Sequence, residues 1–100
     1  MKTKKLNISE YCEILKALAH PVRLKIVCGL SKKGVCSVGT IARRLGIAQP
    51  AASQHLNILK NAGLVAGYRN GVRICYKAQR PEAVKIIKSM DIDFCQEKHI

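Results

Sequence analysis

The middle of this 100-residue sequence lacks acidic side chains. No Asp or Glu occurs from Ile14 to Pro81, and all six carboxylates lie outside that segment. The same 68 residues contain twelve Lys and Arg. A globular surface usually mixes both signs because like charges repel, so the omission makes sense if a polyanion supplies the negative charge. A basic domain without such a partner is the alternative.

Aromatic residues and long apolar runs are also scarce. There are three Tyr, one Phe and no Trp, although 48% of the residues are hydrophobic, so the core must be aliphatic, which suits packed helices. No apolar run approaches the roughly 18 residues that span a bilayer, and no apolar segment follows the basic start as in a secretory signal. We therefore expect a cytoplasmic protein with one domain, residues 1–100, whose cysteines rest as thiols.

The motifs of common enzymes are absent as well. The sequence has no Cys-x-x-Cys, no Gly-rich phosphate loop and no acidic residue in its centre, which argues against a thiol-dependent enzyme. The net charge of +12 and the pI near 9.9 instead favour a nucleic-acid partner. Charge alone does not choose among DNA, RNA and an acidic membrane.

Helix caps, prolines and glycines divide the chain into short elements. Ser9 is a candidate cap for the first helix, whose stripe of Ile8, Cys12, Leu15 and Leu18 or Ala19 is expected to face inward. The Asn70-Gly71 pair predicts a tight hairpin turn. The predicted helices are residues 9–19, 21–30, 38–45, 49–61 and 81–96, and the predicted strands are 64–68 and 72–76. This order predicts a mainly α, winged helix-turn-helix fold.

The fourth predicted helix has the side chains of a DNA-reading helix. Gln49, Ser53 and Gln54 are neutral groups that can hydrogen-bond to base edges in a major groove. His55 beside them either contacts DNA or packs near the turn. Phosphates would be contacted by cations on the flanks, and the wing cations would reach the minor groove or the backbone. These cations are Arg43, Arg44 and Lys60 on the flanks, and Arg69 and Arg73 on the wing. An ordinary polar helix face is the alternative.

Three segments resemble the ArsR/SmtB family of bacterial winged-helix repressors: LKALAHPVRL at residues 15–24, QPAASQHL at 49–56 and GLV at 63–65. The resemblance implies a homodimer joined through the first and last helices. It also implies binding to an inverted-repeat double-stranded DNA operator, and release when an inducer binds or reacts. One departure is Ala48, where many members have a Ser cap. A winged-helix RNA-binding or architectural protein is another possibility.

The pattern of cysteines indicates which class of inducer the protein responds to. Cys36 has no partner in a Cys-x-Cys pair, and the Asp91-Ile92-Asp93 segment is followed only by His99, so both metal patterns of the family are incomplete. The chain is more similar to the persulfide- and redox-responsive (SqrR/BigR-type) branch. That similarity implies that Cys28 and Cys95 are the redox-sensing pair, bridged by a reactive sulfur species or another oxidant, and it implies no cofactor. A metal or arsenite sensor using Cys12, Cys95 or His99 is the alternative.

Overall fold

The computed structural model describes residues 5–90 and confirms a mainly helical fold with a β-hairpin wing. Two helices, a short strand, the helix-turn-helix, the hairpin and a last helix follow one another along the chain. The elements are α1 (Ile8–Leu18), α2 (Pro21–Lys33), β1 (Cys36–Ser37), α3 (Val38–Leu45), α4 (Gln49–Asn61), β2 (Val65–Asn70), β3 (Arg73–Ala78) and α5 (Pro81–Ser89). None of the helices in this part of the chain is long and apolar enough to cross a bilayer.

The first two helices begin at polar caps. Asn7, not Ser9, caps α1, and its side chain forms a capping box with Glu10. His20 caps α2 by accepting the Val22 backbone N–H at its Nδ1 atom, 3.1 Å away. Pro21 then occupies the first turn, where its missing N–H costs nothing. The sequence predicted that α2 ends near residue 30, but it continues for almost one further turn to Lys33.

The helix-turn-helix lies where the sequence predicted it. Ser37 caps α3, and its Oγ accepts the Thr40 backbone N–H at 3.2 Å. Gly46 ends α3 in the left-handed region, at φ 68°, which glycine adopts without a Cβ clash. Ala48 precedes α4 in extended conformation and provides no side-chain cap.

The sheet differs from prediction in two details. Its strand order is β1-β3-β2, all antiparallel, and the two-residue strand β1 was not predicted. Asn70 pairs with Arg73 at the end of the ladder, so the turn residues are Gly71 and Val72 instead of Asn70 and Gly71. Gly71 has φ 68° and Val72 has a negative φ, the pattern of a type II′ hairpin turn.

The core is aliphatic, as predicted. Leu56, Leu59, Leu64 and Val27 are fully buried where α2, α4 and the sheet meet. The expected inward face of α1 is wrong except at Leu18. Ile14, Ala17 and Leu18 are the buried residues of this helix, whereas Ile8, Cys12 and Leu15 are exposed.

The last helix is shorter than predicted. α5 ends at Ser89 because Met90 adopts an extended backbone, so the helix does not run without interruption to residue 96. Cys95, which was predicted to lie in this helix, is outside the described residues.

Candidate nucleic-acid interface

One face of α4 is buried and the other is polar and accessible. Ala52, Leu56 and Leu59 are fully buried and fix α4 against the body. On the other side Gln49 and Gln54 are exposed and Ser53 is half-buried. This is the geometry that a reading helix needs, because its outer side chains must enter the major groove while its inner ones hold the helix in place.

Asn57 belongs to the same face, although the sequence analysis did not single it out. It is exposed and lies four residues after Ser53, one helical turn further along α4. Its amide can pair with adenine in the two-point manner of asparagine and glutamine. The four-residue spacing from Gln49 through Ser53 to Asn57 was the signal that could have identified it.

All five predicted phosphate-contacting cations are exposed: Arg43 and Arg44 on α3, Lys60 on α4, and Arg69 and Arg73 on the wing. Arg43 and Arg73 lie beside the start of α4, whereas Arg44 lies against Cys36 and α2. The two described carboxylate pairs lie elsewhere, between Glu13 and Lys16 at 3.5 Å and between Glu82 and Arg80 at 3.9 Å. The positive charge next to the polar face of α4 therefore comes from Arg43 and Arg73.

A polar groove of about 430 Å³ separates the wing from the helix-turn-helix. The wing wall consists of Val72, Arg73 and Ile74, and the opposite wall is formed by the start of α3 together with Gln49. Arg43 and Arg73 both line this groove, so cationic groups are present on both walls.

His55 packs within the protein. Its ring lies 4.5 Å from that of His20, between centroids, with the planes tilted by 50°. Its Nδ1 is covered and has no hydrogen-bond partner. Burial, followed by the charges of His20 and Arg23, lowers the pKa of His55 from its ordinary value of 6.5. These surroundings therefore disfavour the charged imidazolium, and the ring connects α4 to the start of α2.

The cysteines occupy different environments. Cys28 is buried on α2, 6% exposed, and is disulfide-bonded, so the prediction that the cysteines rest as thiols is wrong for this residue. Cys12, Cys36 and Cys75 are free thiols, exposed, half-buried and buried respectively. The predicted partner Cys95 and the alternative ligand His99 lie outside the described residues. Within residues 5–90, no three Cys, His, Asp or Glu side chains are grouped as metal ligands would be.

Comparisons with known proteins agree with this arrangement. The family model described as "Bacterial regulatory protein, arsR family" matches residues 20–66. The biofilm growth-associated repressor of Xylella fastidiosa is 40% identical over 91 residues, which cover 90% of this chain and 79% of that protein. The protein of the same name from Agrobacterium fabrum is 38% identical over 87 residues, covering 87% and 74%.

Solved structures share the fold. The crystal structure of the transcriptional repressor BigR from Xylella fastidiosa matches with a TM-score of 0.78 and 37% identity, covering 89% of this chain and 90% of that one. Reduced HlyU from Vibrio cholerae matches with a TM-score of 0.80 and 33% identity, covering 88% and 92%. The chain therefore belongs to the ArsR family of bacterial regulatory proteins, in the branch that includes the biofilm growth-associated repressors, and is a DNA-binding transcriptional repressor rather than an enzyme.

Proposed function

We propose that this protein represses transcription as a homodimer on an inverted-repeat operator and leaves the DNA when Cys28 and Cys95 are oxidised or bridged by reactive sulfur. The observation that supports the switch most directly is the position of Cys28. This buried, disulfide-bonded residue lies on α2, the helix that packs against both α4 and α5.

The DNA-binding part of the proposal assigns two kinds of contact. Gln49, Ser53, Gln54 and Asn57 read base edges because they project from the outer face of α4. The surrounding cations neutralise phosphates and fix the register of the protein on the duplex. His55 holds α4 against α2 through its contact with His20 and so supports the reading helix from behind.

The exposed apolar face of α1 supports dimerisation. Ile8, Tyr11 and Leu15 are 83%, 38% and 48% exposed and lie along one side of the helix. Leaving such a stripe in water is unfavourable, by roughly 25 cal/mol for each Å² of apolar surface that a partner would cover. A solved relative from Mycobacterium bovis is described as a homodimeric winged helix-turn-helix domain. A second copy of this chain is therefore the proposed partner of α1.

The thiol chemistry proceeds in two steps. The Cys28 thiolate attacks the terminal sulfur of an organic persulfide, which forms a Cys28 persulfide and releases the organic thiolate. The Cys95 thiolate then attacks the Cys28 sulfur, which forms the disulfide and releases hydrosulfide. Two electrons pass from the cysteine pair to the sulfane sulfur. If Cys95 also becomes a persulfide before it attacks Cys28, the bridge retains an extra sulfur atom.

The bridge affects DNA binding through α2. Tying the chain beyond α5 to Cys28 constrains α2, and α2 contacts α4. The two reading helices of a dimer must enter major grooves about 34 Å apart, so a small rotation of each one removes it from its groove. Oxidation is therefore expected to weaken operator binding.

The experiment measures operator affinity by fluorescence anisotropy before and after exposure to an organic persulfide. Wild type should bind tightly when reduced and at least about tenfold more weakly after exposure, a coupling of about 1.4 kcal/mol. Cys28→Ser and Cys95→Ser should bind like reduced wild type and not respond. Cys75→Ser, which alters another buried cysteine, should respond normally. A normal response in either of the first two variants would disprove the assignment.

The same assay separates the metal or arsenite alternative. If zinc or arsenite, instead of the persulfide, releases the reduced protein from DNA, the protein is a metal or metalloid sensor. Intact mass spectrometry adds an independent readout, because a Cys28–Cys95 disulfide removes two hydrogen atoms and extra sulfur adds whole sulfur atoms.

A further inference from the structure

The tip of the wing presents an apolar side chain between two cations. The II′ turn places Val72 at the end of the hairpin, where it is 96% exposed. Arg73 follows it directly, and Arg69 pairs with Ile74 one step down the ladder. Ile74 is itself 43% exposed. The tip is therefore a small apolar point with positive charge on both sides.

The groove behind this tip has the layout of a channel for one sugar-phosphate strand. Val72 and Ile74 form part of its wing wall, and Gln49 at the start of α4 lies on the opposite wall. Arg43 and Arg73 provide positive charge on the two walls. Its shape and charge suit a polyanionic chain running between the reading helix and the wing.

In duplex DNA, a sugar-phosphate strand is expected to lie between the reading helix and the wing. In B-DNA the major groove, about 12 Å wide, adjoins a minor groove about 6 Å wide, and one sugar-phosphate strand separates them. A protein that places α4 in the major groove and lets this strand run through the channel brings Val72 to the neighbouring minor groove.

We propose, building on the proposed function, that Val72 enters the minor groove beside each half-site and makes binding there selective for A·T over G·C pairs. The minor-groove edge of a G·C pair has the guanine N2 amino group, which an A·T pair lacks. Valine has no acceptor for this amino group. A G·C pair next to Val72 would therefore leave a guanine N–H unpaired, and the amino group would also obstruct the side chain. Arg69 and Arg73 are attracted to the more negative, narrower minor groove of A·T-rich DNA.

The test uses an operator selected from random duplexes with the reduced protein. Each base pair is replaced first by G·C and then by inosine·C, which has the major-groove edge of G·C but lacks the N2 amino group. Where an A·T pair lies under the wing, G·C should weaken wild-type binding by about fivefold or more, the usual cost of one wrong pair, and inosine·C should restore it. Val72→Ser should reduce this difference, because only the attraction of Arg69 and Arg73 to the A·T minor groove remains.

Val35→Ser is the matched control. Val35 is also an exposed valine, 47% accessible, but it lies near Ala78 at the other end of β3. At the A·T pairs under the wing, this variant should lose affinity with G·C and recover it with inosine·C, as wild type does.

The outcomes separate the inference from the proposed function. If no specific duplex is selected, the proposed function fails. If an operator is selected but inosine·C weakens binding as much as G·C at every position, the minor-groove contact is refuted. The role of Val72 is also refuted if Val72→Ser keeps the wild-type discrimination, or if Val35→Ser loses it too.

Discussion

At the scale of single residues, the burial of His55, with the charges of His20 and Arg23, is expected to make the stability of the protein sensitive to acid. The His55 Nδ1 atom is covered and unpartnered, and its neighbours His20 and Arg23 oppose a further positive charge. These effects lower the pKa of His55 in the folded state, while the unfolded chain takes up the proton near the ordinary value of 6.5. The stabilisation is therefore present above that pH and is lost as the pH falls below it.

We expect the free energy of unfolding of wild type to decrease from pH 7.5 to pH 5.5, with a contribution from His55 of at most about 1.4 kcal/mol per pH unit. His55→Gln should make this dependence shallower, because the group that titrates is gone. Urea unfolding at a fixed protein concentration measures the effect. Asn57→Ala, on the exposed face of the same helix, should keep the wild-type slope, and an equally steep slope in His55→Gln would contradict the assignment.

At the scale of elements, the two helices of the helix-turn-helix differ in their caps. Ser37 caps α3, whereas Ala48 leaves the start of α4 without a side-chain acceptor. Ala48 already has the extended backbone of a capping residue. A serine there could accept the Ala51 N–H, since Pro50 has none to donate.

We expect Ala48→Ser to raise the free energy of unfolding by about 1 kcal/mol and Ser37→Ala to lower it by a similar amount. The two variants are matched because each changes one hydroxyl at the start of one helix. Urea unfolding of reduced protein at one protomer concentration measures both effects. Hydrogen exchange at the Ala51 amide should slow in Ala48→Ser; no slowing would mean that the new hydroxyl does not cap α4.

The elements set by local signals were predictable from the sequence. α3 and α4 begin and end as predicted because their signals, such as Ser37 and Gly46, act within one turn. β1 could not be predicted, since two residues form a strand only by pairing with β3, which lies almost forty residues later. On α1, apolar residues occur on two faces, and periodicity does not say which face the core takes.

The same distinction applies to the candidate site. Helical spacing identified the polar face of α4, and the exposure of Gln49 and Gln54 agrees with it. The packing of His55 on His20 depends on how α2 crosses α4, which no short sequence window contains. The Val72 turn was missed because Asn-Gly is the stronger turn signal, whereas the pairing of Asn70 with Arg73 sets the register.

At the scale of the whole molecule, the acid-free centre predicts a strong dependence of operator binding on salt. If all five proposed phosphate-contacting cations of each protomer bind DNA, the dimer makes about ten such contacts, so log K should fall with log salt concentration at a slope of about −9. Affinity measured by anisotropy between 50 and 300 mM KCl, roughly the range in which such contacts are screened, tests this.

A pair of variants separates the effect of losing a phosphate contact from the effect of losing net positive charge. Arg43→Gln should reduce the magnitude of the slope by about two, since a dimer loses two phosphate contacts. Lys32→Gln removes the same charge from the last turn of α2, outside both the proposed DNA contacts and the helices expected to join the dimer, and should leave the slope almost unchanged. Equal slopes for the two variants would mean that net charge alone attracts the DNA.

The length of α2 has a mechanical consequence. Its thirteen residues form a rod about 20 Å long. His20, which touches the reading helix, lies at one end, and Cys28 lies in the second half of the rod. A helix tilts more readily than it compresses, so a force on the Cys28 sulfur would displace the His20 end of α2. In this way α2 would act as a lever, and the formation of one bond at Cys28 would move the reading helix relative to the DNA.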